Sequence, residues 1–305
     1  MSILNIIDCT IRDGGYQNNW DFDINFIDKY LSLVDKLPID YVDLGYIRPE
    51  RKEKTYSYLS PEDLLYSKNK LEKTKISVMM DAKDWSGKLD EISTCLESCL
   101  ANIDLIRVSV NPLILDEHLP CVRQLLALGA PVSLNLMYLS SWDKVVYQNI
   151  KYTLEEFKAK FVSVYFVDSY GGCIPEDLTK LYTEFKDYQD SVQFAFHGHN
   201  NIELAFANSL RALNYGWWVD TTVTGIGRGA GNLKTELFLQ LLKSDKKYNF
   251  SDDDLFDLCE HVANYFPKSN SKLQNYAYAI SGIRSCPQDT VDNKIAQGYG
   301  LRDIF

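Results

Sequence analysis

Residues 162–200 read VSVYFVDSYGGCIPEDLTKLYTEFKDYQDSVQFAFHGHN. Two short β-rich apolar runs, Val162–Val167 and Val192–Phe196, flank a helix-like stretch, with Pro175 where a loop or first helical turn is expected. That is one strand–helix–strand unit. Outward from it the rhythm repeats. Runs at Leu4–Cys9, Tyr41–Tyr46, Ile76–Met80, Leu105–Val110, Val132–Met137 and Val219–Thr224 bring the total to eight. Their spacing is roughly 27–37 residues, the size of one βα unit. Between them, stretches such as Asn25–Leu37 and Leu89–Leu100 carry apolar residues at helical spacing.

Strands alternating with helices make a parallel sheet. Eight of them fit a closed α/β barrel, the (β/α)8 TIM-barrel class, and the 305 residues suffice for the ~250 such a fold needs. A six-stranded doubly wound sheet is the competing fold. Its usual marker, Gly-x-Gly-x-x-Gly after the first strand, is missing; Gly14–Gly15 follow that strand instead. After about Lys246 the rhythm stops, and helices are expected over Asp252–Phe266, Leu273–Ile283 and Thr290–Phe305. The expected organisation is a catalytic barrel, 1–245, with a short C-terminal helical extension, 246–305, packing on it.

Composition narrows the function. Thirty-two Lys and Arg against 42 Asp and Glu give a formal charge of −10 and a pI near 5.0. A chain without a basic run offers nothing to nucleic acid or to an anionic membrane. No apolar run approaches the ~18–20 residues that span a bilayer. Met1–Thr10 carries no cationic segment ahead of an apolar one. The seven Cys form no Cys-x-x-Cys pair, which reads as reduced thiols. A cytoplasmic protein is expected.

In a parallel barrel the functional face lies at the carboxyl ends of the strands. There the chain offers Asp8-Cys9-Thr10-Ile11-Arg12-Asp13-Gly14-Gly15 after run one and Asp168-Ser169-Tyr170-Gly171-Gly172 after run six. His197-Gly198-His199 follows run seven, and Gly225-Ile226-Gly227-Arg228-Gly229-Ala230-Gly231-Asn232 follows run eight. Only four His exist, and two form His-x-His at one strand end. Residues i and i+2 of a strand point the same way, so both imidazoles face one side. Closure makes runs seven, eight and one consecutive around the ring. Asp13 and Asn232 thereby approach His197 and His199. Two imidazoles, a carboxylate and an amide oxygen suit a divalent ion such as Mn²⁺ or Mg²⁺, with Co²⁺ or Zn²⁺ also compatible. Arg12 is placed to pair with a substrate carboxylate or a developing enolate oxygen. Plainer roles compete: a helix cap for Asp13, a left-handed turn for Asn232, a rim ion pair for Arg12. The glycine run suits either a phosphate cradle or close backbone approach.

At these residues the chain resembles the DRE-TIM metallolyases. They carry Asp-x-Thr-x-Arg-Asp-Gly after strand one, His-x-His after strand seven and a glycine-rich turn ending in Gly-Asn after strand eight. Order and spacing agree over about residues 5–240. Asp168-Ser169 and Gly229-Ala230-Gly231-Asn232 make it most similar to the 4-hydroxy-2-oxovalerate aldolases. The resemblance implies a TIM barrel, a divalent ion held by Asp13, His197, His199 and Asn232, and an enolate polarised by Arg12. The implied reaction is that of a metal-dependent aldolase or lyase, making or breaking a carbon–carbon bond between a pyruvate-type 2-oxo acid and an aldehyde; a homodimer is also implied. Glu236 matches a Glu of lyase and synthase relatives, with a first-turn helix carboxylate as its plainer role. Asp43 and Asp168, near the ends of runs two and six, are expected to orient polar substrate groups.

Three departures stand out. Those aldolases place a base His three residues after the ligand Asp, where this chain has Tyr16. A phenol, with a reference pKa of ~10, is a weak base at neutral pH. Tyr276, Tyr278 or a metal-bound water are the other candidates for that role. After run four, Asn111-Pro112-Leu113-Ile114 replaces a His-Cys-Thr-Glu-like segment. The tail is shorter than the region that docks a partner dehydrogenase, so that partner is not expected. A Claisen-type acyl-CoA/2-oxo acid synthase, favoured by Glu236, and a non-catalytic barrel subunit are the alternatives.

Overall fold

A computed structural model describes residues 5–50, 55–245, 248–266 and 272–299, side chains at 55, 272–276 and 280 excepted. Eight parallel strands close into a barrel in chain order: β1 (Ile6–Asp8), β2 (Tyr41–Tyr46), β3 (Lys75–Asp81), β4 (Leu105–Val110), β5 (Val132–Leu136), β6 (Ser163–Asp168), β7 (Gln193–Gly198) and β8 (Trp218–Thr221). β8 pairs with β1 through Ile6–Val219, Ile7–Asp220 and Asp8–Thr221, which seals the ring.

Twelve α-helices are described. They are α1 (Thr10–Asn18), α2 (Ile24–Val34), α3 (Pro61–Lys68), α4 (Glu91–Glu97), α5 (Leu115–Ala127) and α6 (Lys144–Glu156), then α7 (Pro175–Phe185), α8 (Ala205–Asn214), α9 (Thr235–Ser244), α10 (Asp252–Tyr265), α11 (Lys272–Ile283) and α12 (Gln288–Ala296). Their starts follow ordinary capping chemistry. Asp23 accepts from Asn25 N–H at 2.7 Å, and Ser60 with Asp63 forms a capping box ahead of Pro61.

Strand alternation sorts the core into two layers. One set of side chains, including Ile6, Val42, Ile106, Val164 and Val219, faces the helices and is buried among them. The other fills the barrel, where Ile7, Tyr41, Leu105, Tyr165, Ala195 and Trp218 form an apolar plug. Above the plug the inward positions turn polar. Asp43, Arg107, His197 and Asp220 all lie there, each at most 4% exposed.

Several boundaries differ from the sequence reading, for local reasons. Run one was expected over Leu4–Cys9; the strand is Ile6–Asp8, and Leu4 lies outside the described residues. Thr10 N–H bonds back to the Asp8 carboxylate at 2.9 Å, and the chain turns at once into α1. Arg12 and Asp13 therefore sit in the first turn of a helix. Run eight was expected to reach Thr224, yet β8 ends at Thr221 and a 3₁₀ turn spans Val223–Gly225. Thr224 has φ 59°, which no strand accommodates.

The extension lies on the barrel. α10 packs on α2, where His261 Nε2 meets the Phe26 carbonyl at 2.9 Å. The last two helices reach the carboxyl-end face: Asn201 Nδ2 donates to the Tyr278 carbonyl (3.1 Å) and Gln288 Nε2 to the Ser169 carbonyl (3.3 Å). The third expected tail helix, Thr290–Phe305, is the shorter α12: it ends at Ala296, where the chain turns through Gly298 at φ 81°, and residues 300–305 lie outside the described residues. No helix among the described residues is long and apolar enough to cross a membrane.

Candidate active site

The motif after β1 is held from both sides of the ring seam. Asp8 points outward and accepts from Thr10 N–H, Tyr30 O–H (2.5 Å) and Thr235 O–H (2.8 Å). Thr10 Oγ1 accepts from Val223 N–H at 2.8 Å, and Cys9 N–H donates to the Thr221 carbonyl at 2.8 Å. These bonds fix α1 against the loop after β8 and aim Arg12 and Asp13 into the barrel mouth.

Asp13 is buried, and each carboxylate oxygen is engaged. Oδ1 pairs with an Arg12 guanidinium nitrogen; Oδ2 accepts from Asn232 Nδ2 at 2.8 Å and lies 3.7 Å from His197 Nε2. The His197 and His199 rings are 5.1 Å apart, and His199 bridges Asn232 through the backbone. The glycines after β8 make room for this approach. A Cβ on Gly227 would lie 2.6 Å from Asn232 Nδ2, and one on Gly231, at φ +85°, 2.1 Å from the Gly225 carbonyl oxygen. The structure thus gathers Asp13, His197, His199 and Asn232 into one cluster with Arg12 beside it.

Two polar atoms of the cluster are buried without a hydrogen-bond partner: His199 Nδ1 and Asn232 Oδ1. Burial, then the neighbouring His197, lowers the His199 pKa far below that of a free imidazole, so it stays neutral. Burial opposes ionisation of Asp13, but Arg12 and then the two imidazoles hold its carboxyl below the usual range. A neutral imidazole, an ionised carboxylate and an unpaired amide oxygen are the donor set a divalent cation takes.

A second group of potential ligand atoms, Cys9, His197 and Asp220, lies within 4.8 Å of one another. A cation already serves it. Arg107 donates to Cys9 Sγ (3.1 Å), to Asp43 (2.8 Å) and to Asp220, with its guanidinium 4.5 Å from the centroid of the Tyr165 ring. This layer is a foundation. Asp43 bridges the two arginines, accepting from Arg12 Nε and Arg107, both at 2.8 Å.

The other expected residues divide. Tyr16 reaches the cavity, its hydroxyl 2.8 Å from that of Tyr46 and its ring 4.6 Å from the Arg228 guanidinium. Asp168 is fully buried and accepts from Gly172 N–H (3.1 Å) and Cys173 N–H (3.0 Å), pinning the loop after β6. Glu236 accepts from Thr224 N–H at 2.9 Å in the first turn of α9. Neither these two nor Asp43 line the cavity. Tyr278 O–H bonds to Asp292 in the extension, away from the cluster, and the Tyr276 side chain lies outside the described residues.

The cavity holds about 240 Å³. Arg12, Asp13, Tyr16, His197 and His199 line one side. Asp81, Lys83, Ser109, Asn111, His118 and Asn135 also line it. The sequence reading missed this second group, and also Arg107 and Asp220. A charged residue at an inward position of an apolar run, as in Leu105-Ile106-Arg107-Val108, was the available signal for the last two.

A family profile described as HMGL-like matches residues 3–262. The chain belongs to the HMGL-like family. Among curated relatives, a 4-hydroxy-2-oxovalerate aldolase of Serratia proteamaculans is 27% identical over 322 residues, covering 100% of this chain and 92% of its own. An oxaloacetate decarboxylase of Mycobacterium tuberculosis is 25% identical over 242 residues, 78% of this chain and 69% of its own. Both names denote carbon–carbon lyases. Among solved structures, the N-terminal domain of a candidate aldolase from Bacteroides vulgatus superposes with a TM-score of 0.86 at 29% identity, covering 99% of each chain. The carboxyl transferase domain of Rhizobium etli pyruvate carboxylase shares the fold, with a TM-score of 0.74 at 14% identity over 99% of this chain and 55% of that one.

Proposed function

We propose that this HMGL-like carbon–carbon lyase is a divalent-metal aldolase that cleaves, or in reverse forms, the bond between a pyruvate-type enolate and an aldehyde. The convergence of Arg12, Asp13, His197 and His199 at the cavity wall, with Asn232 bonded to Asp13, carries the reading. Family membership and the lyase names of the curated relatives support it.

Asp13, His197, His199 and Asn232 would hold the ion, with Mn²⁺ or Mg²⁺ best suited to this nitrogen–oxygen set. When bound it supplies Lewis acidity to the oxygens of the 2-oxo acid. Arg12, fixed by Asp13 and Asp43, brings a second positive charge to the enolate oxygen. Tyr16, paired with Tyr46, is placed at the cavity to receive the proton of the substrate hydroxyl in cleavage and return it in condensation. Glu236, turned to the Thr224 backbone, gives the synthase alternative no group in the cavity.

The test is exchange of pyruvate methyl protons for deuterium, followed by NMR. Protein stripped with a chelator should be inactive and regain exchange with Mn²⁺ or Mg²⁺. Exchange that is indifferent to chelation sinks the metal–enolate reading.

A further inference from the structure

Away from the cluster, the cavity wall is polar in an ordered way. Register places Asp81, Ser109 and Asn135 side by side across β3, β4 and β5. At a strand spacing of about 4.8 Å this row spans roughly 10 Å of the barrel mouth. The row alternates in character. Asp81 accepts from the Ser109 hydroxyl, which leaves the serine oxygen's lone pairs open. Asn135, 2% exposed, buries its Oδ1 with no partner.

α5 adds His118 to the same wall, 7% exposed. Its Nδ1 accepts from Asn111 N–H at 2.9 Å. The neutral ring therefore carries its proton on Nε2, and no other partner among the described residues takes it. Burial, the largest influence, lowers the His118 pKa and keeps the ring in this form. A ring so held is a fixed hydrogen-bond donor rather than a base. Lys83, exposed at the rim, adds an ammonium that offsets Asp81.

From this wall we infer that the aldehyde partner of the proposed aldolase is a polyhydroxylated, sugar-type aldehyde, its hydroxyls read by Asp81, Ser109, His118 and Asn135. The inference rests on the aldolase reading and adds its substrate class. An aldehyde ending in a methyl group would leave the His118 donor and the Asn135 acceptor facing apolar surface, a costly arrangement. An anionic tail would call for surplus cations; here Arg48 and Lys83 are matched in charge by Asp81 and Asp84, and Arg228 at the cavity lies 3.9 Å from Asp289. In condensation the pyruvate methyl carbon loses a proton and bonds to the aldehyde carbon, whose oxygen gains a proton. No oxidant or further reactant enters.

Two measurements decide it. The Mg²⁺-loaded protein is given pyruvate with erythrose, acetaldehyde or succinic semialdehyde, and products are quantified by mass spectrometry. A kcat/KM at least tenfold higher for erythrose is expected, with that preference falling tenfold or more in His118→Phe and falling also in Ser109→Ala, which removes one hydroxyl from the same wall. Preference for acetaldehyde or succinic semialdehyde, with pyruvate exchange intact, overturns the inference and leaves the aldolase reading standing. Separately, saturation-transfer NMR compares gluconate with hexanoate, which share a carboxylate and a six-carbon chain. Gluconate binding at least tenfold tighter is expected; equal binding overturns the inference whether or not turnover is seen.

Discussion

His197 Nδ1 lies 2.8 Å from Asp220 Oδ2, the same carboxylate oxygen that Arg107 grips from below. Burial opposes the charge on Asp220, yet Arg107 and then His197 hold its pKa down to about 2. An ionised Asp220 accepts a hydrogen bond from Nδ1–H, which leaves the Nε2 lone pair turned toward Asp13. The imidazole is thus oriented before any ion arrives. Asp220→Asn leaves a neutral amide oxygen to serve both Arg107 and His197, without the negative charge that fixes this tautomer. Affinity for Mn²⁺ should fall by about 10- to 100-fold in calorimetric titration. Wild-type affinity in a folded Asp220→Asn protein would remove His197 from the ligand set.

Arg12 is shared between two carboxylates through two different nitrogens, one on Asp13 and one on Asp43. A lysine has one nitrogen and cannot span both while still facing the cavity. Arg12→Lys should therefore retain Mn²⁺ binding and lose about 10²–10³ in kcat, the usual cost of one oxyanion donor. Full turnover in Arg12→Lys would show that the enolate charge is met elsewhere.

The barrel and the cluster were legible because they rest on periodic signals and on closure. Eight apolar runs imply the ring, and the ring makes His197, Asn232 and Asp13 neighbours. What lies between the strands was not legible. Asp168 closes β6 and Glu236 lies in the first turn of α9, after the loop that follows β8, and each carboxylate turns to backbone N–H groups of the adjoining loop. A strand-end position does not say which way a side chain faces once a turn intervenes. His118 was passed over for a related reason. It belongs to α5, beyond the strand ends, and only the close of that helix on Asn111 brings it to the cavity.

Tyr16 and Tyr46 form a hydroxyl pair at 2.8 Å. Burial, then the nearness of Tyr16, pushes the Tyr46 pKa far above that of a free phenol, so Tyr46 stays protonated and keeps a proton to offer to this pair. The Tyr46 hydroxyl and the Arg228 guanidinium, 4.6 Å from the Tyr16 ring centroid, together hold the Tyr16 side chain at the cavity. Tyr16→Phe should lower kcat for aldol cleavage by about 10²–10⁴, the range for a lost acid–base group. Tyr46→Phe should have a smaller effect, since it removes only the supporting donor. Steady-state kinetics on both variants decides it; an unimpaired Tyr16→Phe protein would move the proton acceptor away from this residue.

Asp168 makes stability depend on pH in a direction that its burial sets. Desolvation raises its pKa from 3.8 to about 6, against the pull of the Cys173 and Gly172 N–H groups. A carboxyl with a raised folded-state pKa is most favourable to the fold when protonated. Its contribution is fully present below about pH 4 and is lost as pH rises through about 6. The shift corresponds to at most about 3 kcal/mol. In Asp168→Asn one amide oxygen can still accept, but the amide N–H₂ faces the second backbone donor, a cost of about 1–3 kcal/mol that does not vary with pH. Urea unfolding of both proteins between pH 4 and 7.5 should therefore show the wild type ahead by most at pH 4, with the gap shrinking as pH rises. A gap that stays flat or widens would mean that the two backbone bonds hold the carboxylate ionised throughout, and that burial is not the dominant influence at this loop.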